Sequence, residues 1–165
     1  MSGSALKKRL LEILQDNDRL TPAQLATMLG ATEEEVRVAI KELEDSGVII
    51  KYHAVIDWEK SGEEIVTALI EVKVTPQRGV GFDQVAERIY RFPEVRSVFL
   101  ISGDYDLSVV IEGKSMREVA FFVAEKLATI EHVQSTATHF VLKKYKQNGV
   151  ILVGPRENHR LEVSP

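Results

Sequence analysis

The chain has 165 residues, of which 21 are Lys or Arg and 25 are Asp or Glu, so its net charge is −4, and it contains no cysteine. This length and a hydrophobic content of 44% allow one domain or two small ones and exclude a disordered or collagen-like chain, while the lack of cysteine excludes a disulfide scaffold and a thiolate zinc site. Because neither a secretory leader nor an apolar run of roughly 20 residues is present, we expect a soluble cytoplasmic protein without a membrane partner.

Up to about residue 60, apolar residues recur at helical spacing and predict three short helices. Residues 21–24, Thr-Pro-Ala-Gln, supply an N-cap hydroxyl, a proline at the first helical position and a capping-box glutamine, and Gly30 supplies a left-handed end. A second capping box at residues 32–35 begins the next helix at once, and Gly47 ends it. Two capped helices that meet across Gly30 and Ala31 have the spacing of a helix-turn-helix.

Two short strand-like runs, residues 48–50 and 53–58, follow and predict a small hairpin, or wing, that closes this first unit. After residue 61 the pattern changes to strands that alternate with helices. Strands are expected over residues 65–74, 95–102, 105–111 and 136–142, with a hairpin turn at Gly103 and Asp104, and helices over residues 82–90 and from a third capping box at Ser115. The order β-α-β-β-α-β predicts a ferredoxin-like, four-stranded sheet with both helices on one face.

Such a sheet leaves its second face without cover. If Ile65, Leu69, Phe99, Ile101 or Leu107 lie on that face, a partner must cover them, so we expect the chain to associate with itself. The last segment, residues 148–165, begins apolar and ends polar. It is either an arm onto a partner subunit or a frayed tail.

Several short motifs, in their order and spacing, resemble the Lrp/AsnC family of leucine-responsive, or feast/famine, transcription regulators. They are Leu25-Ala26 with Gly30, Leu43-Glu44 with Ser46-Gly47-Val48-Ile49, Tyr52, Pro93-Glu94-Val95, Gly103-Asp104-Tyr105-Asp106, Thr136-Ala137-Thr138 and Val141-Leu142-Lys143. The resemblance implies an α+β chain in which residues 1–60 form a winged helix-turn-helix DNA-binding domain with a β-linker. Residues 61–147 would then form a ferredoxin-like effector-binding and oligomerisation domain, followed by a C-terminal tail at 148–165. It also implies a homodimer, often assembled further into a ring of dimers, for example an octamer.

The helix over residues 32–46 is the recognition helix by position, because readers of this type place their second helix in the major groove. We predict contacts to double-stranded DNA from the following residues: Thr32, Glu34, Arg37, Val38, Lys41 and Lys51. Lys7, Lys8 and Arg9 either contact the phosphate backbone or form a solvated face.

The charge of the first unit departs from the family pattern, in which basic residues are common around the positions of Val38 and Ala39. Residues 1–60 hold eight Lys and Arg against eleven Asp and Glu, which is a net charge of −3. Because phosphate contacts dominate DNA affinity, we expect weak binding by one dimer, restored when several dimers occupy adjacent sites.

The turn at Gly103, Asp104, Tyr105 and Asp106 can expose backbone amides and carboxylates together, which suits both ends of an amino-acid zwitterion. The resemblance implies that this turn, with Thr136 and Thr138, lines a small-molecule pocket between dimers, and an amino acid is the expected effector. The alternative reading is a tight hairpin turn that Asp106 caps.

Other classes of function lack their residues. The four histidines are scattered, no Gly-x-Ser-x-Gly or phosphate-binding loop is present, and Asp104 with Asp106 is only half of a metal site, so we expect no catalytic residue, metal or cofactor. A haem-pathway decarboxylase would need clustered Arg and His, and an RNA-binding sheet would need more exposed aromatics than Phe99 and Tyr105. The alternative that remains is a ligand-sensing co-regulator whose acidic helix-turn-helix binds a protein, or binds DNA only beside a partner.

Overall fold

The computed structural model describes residues 3–75 and 81–154 of the chain, and residues 155–165 of the predicted tail lie outside the described residues. The chain divides into two compact units. The first comprises residues up to 56 with residues 147–150, and the second comprises residues 57–146 with those from 151 onward. Within the described ranges, no helix is long and apolar enough to cross a membrane.

The first unit contains the three predicted helices, α1 (Gly3–Asp16), α2 (Pro22–Leu29) and α3 (Glu33–Asp45). Their apolar faces meet in one small core, because the residues at helical spacing are also the buried ones. The members of this core are Leu6, Leu10, Leu25, Ala26, Leu29, Val36 and Ala39.

Both predicted capping boxes of the first unit are confirmed. The Thr21 hydroxyl accepts from the Gln24 amide, and the Gln24 side chain accepts from the Thr21 amide at 2.9 Å. At the start of α3, the Thr32 amide donates to Glu35 Oε2 at 2.7 Å, and the Thr32 hydroxyl accepts from the Glu35 amide at 3.2 Å. Gly30 ends α2 in the left-handed conformation, with φ of 63°. These caps fix where α2 ends and α3 begins.

The predicted wing is wrong for the described chain, because residues 48–57 form no strand. Val48, Ile50 and Ile56 are exposed, with 91% of Ile50 accessible to solvent. Their β-branched side chains favour extended backbone, but a strand also needs a neighbouring strand, and no strand of the described residues pairs with this segment. Trp58, the last residue of the second predicted run, instead begins the short helix α4 (Trp58–Ser61), capped by Asp57.

The second unit has the predicted ferredoxin-like order. Its elements are β1 (Val66–Val74), α5 (Phe82–Tyr90), β2 (Val95–Leu100), β3 (Leu107–Gly113), α6 (Met116–Phe122) and β4 (Val133–Phe140), with a π-helical turn at Val123–Leu127 that continues α6. The strands form one antiparallel sheet in the order β2-β3-β1-β4. Helix α5 contains the predicted apolar stripe and ends before Pro93, as predicted.

Strand ends and one cap differ from the prediction. Strand β3 begins at Leu107 instead of residue 105, so the β2–β3 connection covers residues 101–106 instead of a two-residue turn. Strand β4 begins at Val133 and ends at Phe140 instead of spanning 136–142. At the third cap, the Ser115 hydroxyl accepts from the Glu118 amide, but the Glu118 carboxylate accepts from the amide of Lys114 instead of Ser115. The alternation of apolar and polar side chains does not predict at which residue a strand begins or ends.

The two faces of the sheet differ as alternation predicts. The inner face and both helices enclose a core that includes Ala68, Ile70, Val72, Val109 and Ile111. On the outer face Leu69 is 43% exposed and Phe99 is 55% exposed, as expected for an uncovered face. The expectation for Leu107 was wrong: it is 1% exposed and belongs to the inner core, because it pairs with Val72 and shares that residue's face. Ile65 and Ile101 lie just outside the strands.

The described part of the predicted tail begins in a hairpin. Its strands are β5 (Lys146–Gln147) and β6 (Val150–Ile151), joined by Asn148 and Gly149 with φ of 46° and 81°. Two successive left-handed residues of this kind are typical of a two-residue hairpin turn. Val150 and Ile151 are exposed.

Candidate functional site

Helix α3 has one buried face and one exposed face. Val36, Ala39 and Leu43 are buried, which at 3.6 residues per turn directs Glu34, Val38 and Lys41 away from the core. Val38 is 47% exposed. The outward surface of α3 therefore has an aliphatic centre beside one acidic and one basic side chain.

Two cations near this surface already have acidic neighbours. Arg37 Nε donates to Glu33 Oε1 at 3.0 Å, and Lys7 Nζ lies 2.9 Å from Glu42 Oε2. Exposed ion pairs of this kind stabilise a fold by about 0–1 kcal/mol, so either cation can exchange its carboxylate for a phosphate at small cost.

The remaining predicted DNA contacts differ in availability. Lys41 and Lys51 are exposed and make no hydrogen bond or ion pair with any residue in the described ranges. Thr32 is committed to its cap, because its hydroxyl also donates to Glu35 Oε2 at 2.8 Å. These hydrogen bonds lower the pKa of the exposed Glu35 carboxyl.

Tyr52 is a residue that sequence reasoning left without a role at this surface. Its hydroxyl donates to Glu44 Oε1 at 2.9 Å, which holds the segment after α3 against the last turn of that helix. Partial burial, followed by the hydrogen bond and negative charge of Glu44, raises the pKa of Tyr52 to about 12. No local motif encodes this contact, since the two residues are eight positions apart.

The loop between β2 and β3 contains the predicted effector turn. Asp106 is its anchor: Asp106 Oδ2 accepts from the Val74 amide at 2.8 Å, its own amide donates to the Val72 carbonyl at 3.1 Å, and its carbonyl accepts from Ile101 at 2.9 Å. The pairing of β1 with β3 ends at Val72 and Leu107, so the Val74 amide on the same side of β1 lies beyond β3 and is left for this bond. Asp106 therefore ties the turn to the end of β1.

Asp104 differs from Asp106 in its surroundings. Its carboxylate is exposed and has no hydrogen-bonding or ionic partner among residues 3–75 and 81–154. Its carbonyl accepts from Lys73 Nζ at 2.6 Å, and the same ammonium lies 3.8 Å from Asp106 Oδ2. Lys73 is a further charged residue at this turn that the sequence did not indicate.

Thr136 and Thr138 lie on the other side of β1 from the turn. They pair with Val72 and Ile70, so they share the inner face of the sheet, whereas Lys73 faces outward. Both threonines are half-buried. One chain therefore brings Gly103, Tyr105 and the two aspartates together as a turn, but does not bring them together with the threonines.

Two family models match the chain. Residues 67–151 match the Lrp/AsnC ligand binding domain, and residues 4–50 match a winged helix-turn-helix DNA-binding domain. The HTH-type transcriptional regulator YugG of Bacillus subtilis is 56% identical over 157 residues, which cover 94% of this chain and 95% of that protein. The chain belongs to the Lrp/AsnC family. It is an Lrp/AsnC-type helix-turn-helix transcriptional regulator with a ligand-binding domain, and it is not an enzyme.

Solved Lrp/AsnC structures have the same fold. The structure of Escherichia coli AsnC is 22% identical, with a TM-score of 0.69 over 87% of this chain and 94% of that one. A transcriptional regulator of Neisseria meningitidis in complex with L-methionine is 26% identical, with a TM-score of 0.68 over 86% of this chain and 91% of that one. Within the described residues of this Lrp/AsnC protein, no three His, Asp or Glu side chains could hold a metal ion.

Proposed function

We propose that this regulator binds a preferred DNA sequence as a homodimer, and that an amino acid bound at the effector turn changes its oligomeric state and thereby its DNA binding. Residues 1–60 carry the DNA-binding role, residues 61–147 the effector and assembly role, and residues 148–165 form a tail. The observation that carries the proposal is the doubly capped pair α2 and α3, which holds an exposed α3 surface in the arrangement of a DNA reader.

At the DNA, Val38 and Glu34 lie at the centre of the exposed α3 surface, where base edges are read. Lys41 and Lys51 contact phosphates directly, and Arg37 does so after it leaves Glu33. Thr32 acts at the helix N-terminus, where backbone amides favour a phosphate. In a dimer, the two α3 helices would enter major grooves about one helical turn apart, or a multiple of it.

At the effector turn, the exposed Asp104 carboxylate supports binding of a ligand ammonium group, and the backbone from Gly103 to Asp106 offers further polar atoms. Thr136 and Thr138 would complete the pocket from a neighbouring subunit. The complex of the Neisseria relative with L-methionine supports an amino acid as the ligand class. Because the protein acts on DNA, we place it in the cytoplasm.

Assembly beyond one chain is supported by the uncovered outer face of the sheet, where Leu69 and Phe99 are exposed. Dimers could associate further, to an octamer. A ligand that binds between dimers stabilises the larger assembly by mass action and so changes the spacing of the α3 helices.

Selection from random DNA at low salt, with and without a panel of amino acids, tests the proposal. We expect one preferred motif. The double variant Arg37→Ala with Lys41→Ala should bind all DNA sequences more weakly than wild type does. Loss of two phosphate contacts should reduce the slope of log affinity against log salt by about 2. Lys114→Ala removes an exposed charge in the second unit and serves as the matched control.

An unchanged salt slope in the double variant would place the contact face elsewhere.

The second candidate function is that of the co-regulator. Two observations favour it: the acidic neighbours of Arg37 and Lys7, and the net charge of −3 on residues 1–60. Failure to select any motif, with or without amino acids, would support that alternative.

A further inference from the structure

The geometry of the effector turn points to Lys73 as the residue that binds the α-carboxylate of the effector, with the ligand ammonium on Asp104. This assignment rests on the proposed effector function of the turn. It makes the ligand class an α-amino acid with both end groups free and charged. It also adds a residue from β1 to the part of the site that the β2–β3 connection builds.

Lys73 is held at the turn but keeps bonding capacity. Its Nζ donates to the Asp104 carbonyl at 2.6 Å, and its 3.8 Å distance from Asp106 Oδ2 is too long for a hydrogen bond. An ammonium group has three N–H donors, so two remain for a ligand. The side chain is 37% exposed, which leaves room for an incoming carboxylate.

The two aspartates near Lys73 differ in how available their carboxylates are to a ligand. Asp106 Oδ2 already accepts from the Val74 amide, and the Asp106 side chain is only 20% exposed. The Asp104 carboxylate is exposed and without a partner in the described ranges. This carboxylate belongs to the same residue whose carbonyl accepts from Lys73. An unpaired carboxylate and a partly paired ammonium therefore meet at Asp104.

Lys73 and Asp104 carry charges opposite to those of the two end groups of an amino acid. The ligand carboxylate would pair with Lys73, and its ammonium would pair with Asp104. A carboxylic acid without an amino group would meet two aspartates around the one lysine, and an amine without a carboxylate would leave Lys73 unused. Both should therefore bind more weakly than the complete amino acid.

Calorimetric titration of the full chain tests the assignment. The twenty L-amino acids are titrated one by one, beginning with L-methionine, and the tightest binder is then compared with its α-amide. We expect the amide to bind wild type about tenfold more weakly or worse, since a hydrogen bond to a charged group contributes this much. Lys73→Met should weaken the amino acid by about the same factor and bring the two affinities together.

The ratio of amino-acid to amide affinity separates recognition from a structural role, because a merely distorted turn would weaken both ligands equally. Lys73→Arg should restore most of the discrimination, and Lys114→Met should leave it unchanged. Full discrimination in Lys73→Met would overturn the assignment while the effector site stands. If no amino acid binds wild type, the effector site itself fails, and the role of Lys73 fails with it.

Discussion

Single hydrogen bonds decide how the ends of secondary structure are held in this regulator. The Glu33–Arg37 pair could be predicted from sequence, since a spacing of four on a helix brings opposite charges together. The bonds from Tyr52 to Glu44 and from Val74 to Asp106 could not, because each depends on where the chain goes after an element ends. The same is true of Lys73, whose partner Asp104 is 31 positions away.

Tyr52 should ionise late in an alkaline titration. Its pKa is raised from 10.0 to about 12, so the neutral phenol is favoured in the folded state. The resulting stability is complete below pH 10 and is lost as the pH rises towards about 12. In a phenolate absorbance titration, we expect Tyr52→Phe to remove an ionisation near pH 12 that wild type shows.

The matched control for this titration is Tyr145→Phe, which removes a tyrosine that is 64% exposed and should leave the late ionisation in place. Persistence of the late step in Tyr52→Phe would show that Glu44 does not hold the phenol in solution.

At the scale of elements, the helix ends were the most predictable part of the fold. The caps at Thr21 and Thr32 involve residues three positions apart, so their chemistry is complete within a few letters of sequence. Strand β1 was also predictable, because alternate residues from Val66 to Val74 face the core. The wing was not, since a run such as residues 48–50 specifies extended backbone without specifying a neighbour.

Removal of the α3 cap should destabilise the first unit. Thr32→Ala leaves the Glu35 amide without its acceptor, which should cost about 1 kcal/mol in the free energy of unfolding measured with urea. Thr27→Ala is the control: Thr27 is inside α2 and bonds back to the Ala23 carbonyl, so alanine should be nearly neutral there.

The same variant should change the response to acid. The pKa of Glu35 is lowered in the folded state, so its contribution is present above the ordinary value of 4.5 and is lost as the pH falls below it. Without Thr32, that loss should be smaller. Equal destabilisation by Thr27→Ala and Thr32→Ala would contradict the role of the cap.

At the scale of the whole molecule, the sheet of a single chain has one covered face and one uncovered face. Alternation predicted that one face would be uncovered, but the assignment of Leu107 to it failed because the one-residue phase of β3 depends on pairing with β1. The position of Thr136 and Thr138 on the inner face has the same origin. Local patterns thus located the turn of the candidate site, while strand register decided which residues accompany it.

The uncovered outer face should be where chains associate. We expect Phe99→Asp to weaken self-association by roughly 30-fold, the change that loss of a central interface side chain produces. Sedimentation equilibrium would measure it, with Tyr90→Asp as the control on an exposed residue of α5. An unaltered mass distribution in Phe99→Asp, or an equal loss in Tyr90→Asp, would place the interface elsewhere.

The bond between the Val74 amide and Asp106 allows a backbone amide at the end of β1 to report on the turn. When the turn is closed on β1, this amide proton is shielded, and when the turn opens the proton exchanges with solvent. Its exchange rate therefore reports the opening equilibrium of the turn. A ligand that holds the turn closed would therefore slow the exchange of this one backbone proton at the end of β1.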